Sequence, residues 1–224
     1  MKTFSAQQVY EELIKQGIKD TKGKILFSFI DTEVTISAKS PYGYVFQDWL
    51  AQWFRDNNIY FEEPHNSQEF PDFYLNPNSH ESGLLEIKTF DYEASPNFDV
   101  ANFEAYINSV AVNTYRLDAD YLIFGYSLKD SYFMIEDVWL KKIWEICCPS
   151  ERYPIRCQVK RDMIYNIRPA IWYSENTQNT PFSNKEEFIE ALYKTLKAYE
   201  KTSSNAEDWY KKVNSNFNSI SSLR

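Results

Sequence analysis

The sequence predicts an α/β fold, and three observations predict it. Apolar residues recur at helical spacing in four stretches, 5–15, 42–56, 138–146 and 183–199. Short aromatic and β-branched runs at 84–90 and 120–127 read as strands. The two kinds of segment alternate along 224 residues, enough for one sizeable core. The expected organisation is a single domain over 1–201 and a polar tail, 202–224, either a docked helix or partly disordered.

Each element has its own signature. Ser5 and Gln8 form a capping box ahead of Val9, Leu13 and Ile14, so a helix runs over 5–15 and ends near Gly17. Residues 25–37 alternate apolar and polar around Asp31-Thr32, which predicts a hairpin or bent strand. Val45, Trp49, Leu50, Trp53 and Phe54 make the core side of a helix over 42–56. A short strand follows at 59–62. Beyond residue 90, a loop at 91–98 leads to a helix over 99–112 capped by Asp99. Residues 120–127 and 131–135 read as partner strands. Trp139, Leu140, Ile143 and Trp144 predict a helix over 138–146. Ser183 and Glu186 form a second capping box, opening a helix with Phe188, Ile189, Leu192, Leu196 and Tyr199 on its apolar stripe. The chain has no internal repeat, Walker-type loop, dinucleotide fingerprint or nucleophile elbow.

The chemistry concentrates in 69–90, EFPDFYLNPNSHESGLLEIKTF. Residues 72–75 are strand-like, 76–83 carry turn chemistry, and 84–90 form a second strand. Side chains alternate on a strand, so Leu84, Glu86, Lys88 and Phe90 share one face, and Leu85, Ile87 and Thr89 the other. Both faces are apolar, which places charges on an interior strand. Ions there are costly unless paired or bound to metal. If Asp72 pairs in register with Glu86 or Lys88, two carboxylates and an amine converge. Pairing with Ile87 would separate them. Two carboxylates about 4 Å apart repel by roughly 4 kcal/mol at an effective dielectric near 20, a penalty that a hard divalent cation removes. Asp72, Glu86 and the Ile87 carbonyl are the candidate ligands. Lys88 would orient a water and stabilise charge on a phosphoryl group. The plain alternative is a turn aspartate beside a Glu86–Lys88 surface pair.

Pro71-Asp72 followed by Glu86-Ile87-Lys88 resembles the PD-(D/E)xK nuclease superfamily. Three further stretches, PNFDVANFEAYINS, YRLDADYLIFGYSL and IWEICCPSERYPIRCQVKRDMIYNIRPAIW, resemble restriction endonucleases of the NgoBV type, which read GGNNCC. The likeness spans roughly 5–200. It implies a restriction-endonuclease-like core, a central mixed β-sheet flanked by helices with the catalytic β-hairpin at about 71–90. It further implies magnesium-dependent cleavage of double-stranded DNA by a type II enzyme, leaving a 5′-phosphate and 3′-hydroxyl, and a homodimer on a palindromic site. Asp72, Glu86 and Lys88 would be catalytic. Many members place a further glutamate on the helix before the hairpin, where this chain offers Gln47 and Asp48. Two rivals stand: a nuclease of the same fold acting in repair, transposition or on RNA, and a non-catalytic DNA- or protein-binding module.

Composition sets the bounds. No apolar run is long enough to span a bilayer and no signal-peptide pattern opens the chain, so a cytoplasmic protein without membrane partner or organic cofactor is expected. Cys147, Cys148 and Cys157 match neither a zinc spacing nor a disulfide framework. His80 is expected in the exposed hairpin turn. The net charge of −8 is unusual for a DNA enzyme, but a phosphate footprint depends on clustering. Residues 152–168 carry Arg152, Arg156, Lys160, Arg161 and Arg168 against one acid, Asp162. Arg156, Lys160, Arg161 and Arg168 are the candidate DNA contacts. The plain alternative is a strand edge charged against aggregation.

Overall fold

The computed structural model describes residues 1–30, 32–36, 42–66, 69–129, 132–174 and 180–221. In chain order the elements are α1 (Ala6–Lys15), β1 (Lys22–Gly23), β2 (Ile25–Phe29), β3 (Thr32–Ile36), α2 (Gly43–Asp56), β4 (Phe73–Tyr74), β5 (Leu84–Asp91), β6 (Ala101–Asn102), α3 (Phe103–Val112), β7 (Asp120–Lys129), β8 (Tyr132–Lys142), β9 (Cys157–Lys160), β10 (Met163–Ile167), α4 (Lys185–Ala198) and α5 (Ala206–Ser221). They form two compact units, Met1–Pro96 with Ala119–Lys141, and Asn97–Asp118 with Lys142–Arg224.

The first unit is built on a five-stranded sheet of order β1-β8-β7-β5-β4. It is mixed: β5 runs parallel to β7, while β4 and β1 pair antiparallel to β5 and β8. Val9 and Leu13 of α1 and Leu50, Ala51, Trp53 and Phe54 of α2 pack with Leu85, Ile87, Leu122, Phe124 and Val138. Each such side chain contributes roughly 1.5–3 kcal/mol when fully buried. The parallel register sets Ile87 beside Leu122 and Thr89 beside Phe124, so this is one face of the sheet. Glu86, Lys88 and Phe90, beside Tyr121, Ile123 and Gly125, occupy the other. The α1 capping box is present in both directions, and the helix gives way at Gly17, φ +76°.

The second unit holds a three-stranded sheet of order β6-β10-β9 with α3, α4 and α5. Phe103, Tyr106, Ile107 and Val110 form the buried side of α3. In α5, Trp209 is buried and its indole N–H donates to the Ile107 carbonyl at 2.9 Å. The tail up to 221 is therefore largely helical, and residues 222–224 lie outside the described chain.

Several boundaries differ from expectation. Residues 138–146 are not a helix: β8 runs through Lys142 and a 3-10 turn, Ile143–Ile146, follows. Adjacent apolar pairs suit either period when a strand is covered on both faces. Here Val138 and Leu140 join the α1–α2 core, while Trp139 stacks on Phe90 at 5.7 Å. The cap of α3 is Asn102 rather than Asp99, because Asp99 is held by Arg168. The cap of α4 is Asn184, one residue after Ser183, and Glu187 takes the place expected of Glu186. Residues 59 and 62 make only isolated bridges. The 25–37 hairpin forms as β2 and β3, a separate two-stranded sheet. Its expected turn residue Asp31 and its end at Ser37 lie outside the described residues, as does Ser131.

Candidate active site

The hairpin loop between β4 and β5 is organised by its own polar residues. Leu75 N–H donates to the Gly83 carbonyl at 2.8 Å, Asn76 Nδ2 donates to Ser82 Oγ at 2.8 Å, and Asn78 N–H donates to Asn76 Oδ1 at 3.0 Å. Gly83 has φ +68°, and a Cβ there would lie 3.0 Å from the Asn76 nitrogen. Only glycine fits this return without strain.

The loop fixes the register. Phe73 pairs with Leu85 and Tyr74 with Leu84. One step further along the ladder sets Asp72 opposite Glu86, the arrangement that brings the acids together. Asp72 Oδ2 accepts the Ile87 N–H at 2.6 Å. Lys88 Nζ lies 2.9 Å from Glu86 Oε1, with their side chains 17% and 12% exposed. The second Glu86 oxygen, Oε2, is buried and has no hydrogen-bond partner. Such an atom costs about 1–3 kcal/mol unless something else occupies its lone pairs.

Desolvation pushes the Asp72 carboxyl up from 3.8 to about 7, and the neighbouring Glu86 charge pushes it the same way. The Ile87 N–H and the Lys88 ammonium oppose this but do not offset it. Two neighbouring carboxyl groups, Asp72 reluctant to ionise and Glu86 with an unclaimed oxygen, make a receptor for a hard cation. The donor set is oxygen only. In a strand the N–H and C=O of one residue project to the same edge, so the Ile87 carbonyl faces the Asp72 side. No third His, Cys, Asp or Glu joins them among the described residues.

The other expected residues are dispersed. Gln47 is half-buried and Asp48 exposed on α2, whose core side meets the Leu85–Ile87 face of β5. Neither hydrogen-bonds to Asp72 or Glu86 among the described residues. His80 is exposed, stacked on Tyr74 at 4.2 Å and 3.0 Å from Glu62. In the second unit, Arg168 is tied to Asp99 and donates to the Asn97 carbonyl at 2.7 Å. Arg156 is exposed and donates to the Pro169 carbonyl at 3.2 Å. Lys160 and Arg161 are exposed at the end of the β9–β10 hairpin. Cys147 and Cys148 are buried and all three cysteines are free.

One group on the Glu86–Lys88 face escaped the sequence reading. Phe90, Tyr92 and Trp139 stack in one wall, with centroids 5.7 Å and 6.1 Å from Trp139. The wall rests on Gly125, where a Cβ would lie 2.9 Å from Tyr92 and 3.0 Å from Trp139. The signal was Gly125 itself, since a glycine inside a strand marks a close approach.

The chain is similar to known proteins over nearly its whole length. A sequence model of the NgoBV restriction endonuclease family matches residues 3–223. Over 212 residues the chain is 38% identical to the type II restriction enzyme NlaIV of Neisseria lactamica, covering 93% of this chain and 87% of that one. Over 160 residues it is 32% identical to the type II restriction enzyme NgoBV of Neisseria gonorrhoeae, covering 70% and 91%. The solved structure of the NlaIV restriction endonuclease superposes with a TM-score of 0.94 at 36% identity, covering 99% of this chain and 92% of that one.

Proposed function

The chain belongs to the NgoBV restriction endonuclease family and is by that membership a type II restriction endonuclease, a hydrolase that cuts DNA, and on that premise we propose that Asp72, Glu86 and Lys88 are its catalytic centre. The observation that carries the assignment is Asp72 accepting the Ile87 N–H beside Glu86, with Glu86 Oε2 unclaimed and Lys88 alongside.

Type II enzymes as a class use a divalent metal, and magnesium is our choice for this site. Asp72, Glu86 and the Ile87 carbonyl would hold it, a hard oxygen set that suits such a cation. When bound, the cation supplies Lewis-acid polarisation of the phosphodiester and a more acidic water. The chain's own groups do the rest. Glu86 holds the Lys88 side chain in place, and Lys88 neutralises negative charge as it grows on the phosphoryl oxygens. Asp72 must lose its proton before it can serve as a ligand, so the site is poised near neutrality. Phe70 and Tyr121, with centroids 6.4 Å apart, bring apolar surface to the Glu86 face of the sheet and strengthen its electrostatics.

Water attacks in line, leaving a 5′-phosphate and a 3′-hydroxyl. A palindromic target and one centre per chain call for a two-fold homodimer, each protomer cutting one strand. Among the basic residues, Lys160 and Arg161 are the DNA contacts best supported, since Arg156 and Arg168 have carbonyls of their own chain to hold. Gln47 and Asp48 are left without a role in the centre. No helix among the described residues is long and apolar enough to cross a membrane, and we place the enzyme in the cytoplasm with its DNA.

The test is digestion of a sequenced plasmid with magnesium and mapping of the ends. Discrete fragments are expected. Asp72→Ala, Glu86→Ala and Lys88→Ala should each lower cleavage at least about 100-fold, with duplex binding in calcium retained. Normal cutting by all three variants would remove the assignment.

A further inference from the structure

The end of the β9–β10 hairpin is built in an unusual way. Met163 pairs with Lys160, leaving Arg161-Asp162 as a two-residue turn. Both turn residues have positive φ, +50° at Arg161 and +61° at Asp162. Two-residue hairpins favour this conformation, but they normally fill it with Asn-Gly or Asp-Gly. Aspartate tolerates it; an arginine there costs about 1 kcal/mol or more. Nothing in the second unit repays that cost. Arg161 is exposed and makes no hydrogen bond or ion pair among the described residues. The neighbouring cations are all engaged. Arg152 pairs with Asp162 at 2.8 Å and Lys160 lies over the Tyr165 ring at 5.9 Å. Arg156 and Arg168 hold backbone carbonyls.

The ribbon carrying Arg161 is narrow. Its register shifts between Ile164 and Asn166, a bulge at Tyr165. The extra residue lets Ile164 and Ile167 both turn inward, while Tyr165 and Met163 stay 43% and 40% exposed. β6 pairs only at Asn166 and Ile167, so the end of the hairpin is two-stranded. Two strands about 4.8 Å apart fit a major groove about 12 Å wide. An arginine fork matches the O6 and N7 acceptors of guanine and can hold both.

We infer that the β9–β10 ribbon enters the major groove and that Arg161 reads the edge of a guanine, making it a specificity-determining residue. The inference rests on the reading of the chain as a DNA-cutting enzyme. A contact to phosphate is the competing outcome. It would not need a rigid turn in a strained conformation, because phosphates accept flexible lysines equally well.

The test uses binding in calcium, so it does not depend on cleavage. Duplexes are first selected by the full-length protein from a random-sequence pool, then titrated with the natural protein and with Arg161→Asn. Asparagine suits the positive φ, so the turn is not the point of failure. The variant should lose roughly 10- to 100-fold on the selected duplex and little on random duplex. Replacing one guanine by 7-deazaguanine should cost the natural protein a similar factor and cost Arg161→Asn nothing more. Equal losses on selected and random duplex, with the salt slope reduced by about one, would make Arg161 a phosphate contact and overturn the inference. So would unchanged binding, or a pool in which no sequence is enriched. Failure of the nuclease reading is separate: it appears as no cutting in magnesium whatever the binding result.

Discussion

Replacing Asp72 by asparagine should stabilise the metal-free protein above neutral pH while abolishing cleavage. The Asp72 carboxyl ionises at about 7 in the folded chain, against 3.8 for an ordinary aspartate. At 1.36 kcal/mol per tenfold change, that difference is worth about 4 kcal/mol. Water reaches the half-buried carboxyl and screens part of it, so about 2–4 kcal/mol is expected. Below pH 3.8 both folded and unfolded chains keep the proton, and aspartate and asparagine should be equivalent. Between about pH 4 and 7 the unfolded chain has released it and the folded chain has not, so natural stability falls as pH rises. Above pH 7 both have released it and the deficit is constant. Asparagine keeps the volume and can still accept the Ile87 N–H through its carbonyl oxygen. Urea unfolding in EDTA, followed by tryptophan fluorescence near pH 4, 5.5, 7 and 8, measures the difference. For a chain of this size 2–4 kcal/mol is a rise in Tm of roughly 4–16 °C. A stability difference that does not vary with pH, or a variant less stable at pH 8, would refute the placement of the two acids against each other.

Three further outcomes follow from packing and pairing. Gly125→Ala should cost about 1–3 kcal/mol and change the near-UV circular dichroism, because its Cβ would meet Tyr92 and Trp139 at 2.9–3.0 Å; an unchanged spectrum and melt would mean the wall does not rest on the strand. Arg168→Ala should lower stability by about 1–2 kcal/mol through loss of the Asp99 and Asn97 contacts, with the salt slope of duplex binding unchanged; a slope lower by one would return Arg168 to the DNA surface. Trp209→Ala should cost about 3–5 kcal/mol in urea melts, from the emptied site and the lost indole hydrogen bond to the Ile107 carbonyl; a cost under 1 kcal/mol would mean α5 is not docked through that side chain.

What could be read from the sequence was what one short stretch dictates by itself. The α1 capping box needs four adjacent residues and was found as written. The family was legible because its motif and flanking stretches are contiguous text, and the match over 3–223 bears it out. The central mixed sheet came with the family. Illegible features depend on what a segment meets. Trp139-Leu140 reads as helical because a strand covered on both faces has no period of its own, and β8 is covered by the α1–α2 core on one side and Phe90 on the other. Asp99 looked like a cap until Arg168, distant in sequence, claimed it. The basic block looked uniform in text, yet its members have different partners, and only the turn conformation singles out Arg161.

The same contrast explains why the acids sit where the sheet stops. β4 is only two residues long, and its register would carry Pro71 to a place opposite Ile87. Proline has no N–H to give, so the ladder has no donor for the Ile87 carbonyl. Asp72 accepts the Ile87 N–H with its side chain in place of a main-chain carbonyl, which ends the ladder and turns a carboxylate toward Glu86. A longer β4 with ordinary residues would have satisfied both main-chain groups and closed the edge. The proline and the aspartate together leave an open edge with a carbonyl, two carboxylates and an ammonium gathered beside it. The cost falls on stability and shows in the raised Asp72 ionisation and the unclaimed Glu86 oxygen. A sheet optimised for stability alone would remove both, as the asparagine variant is expected to do in part, and the site would be lost with them.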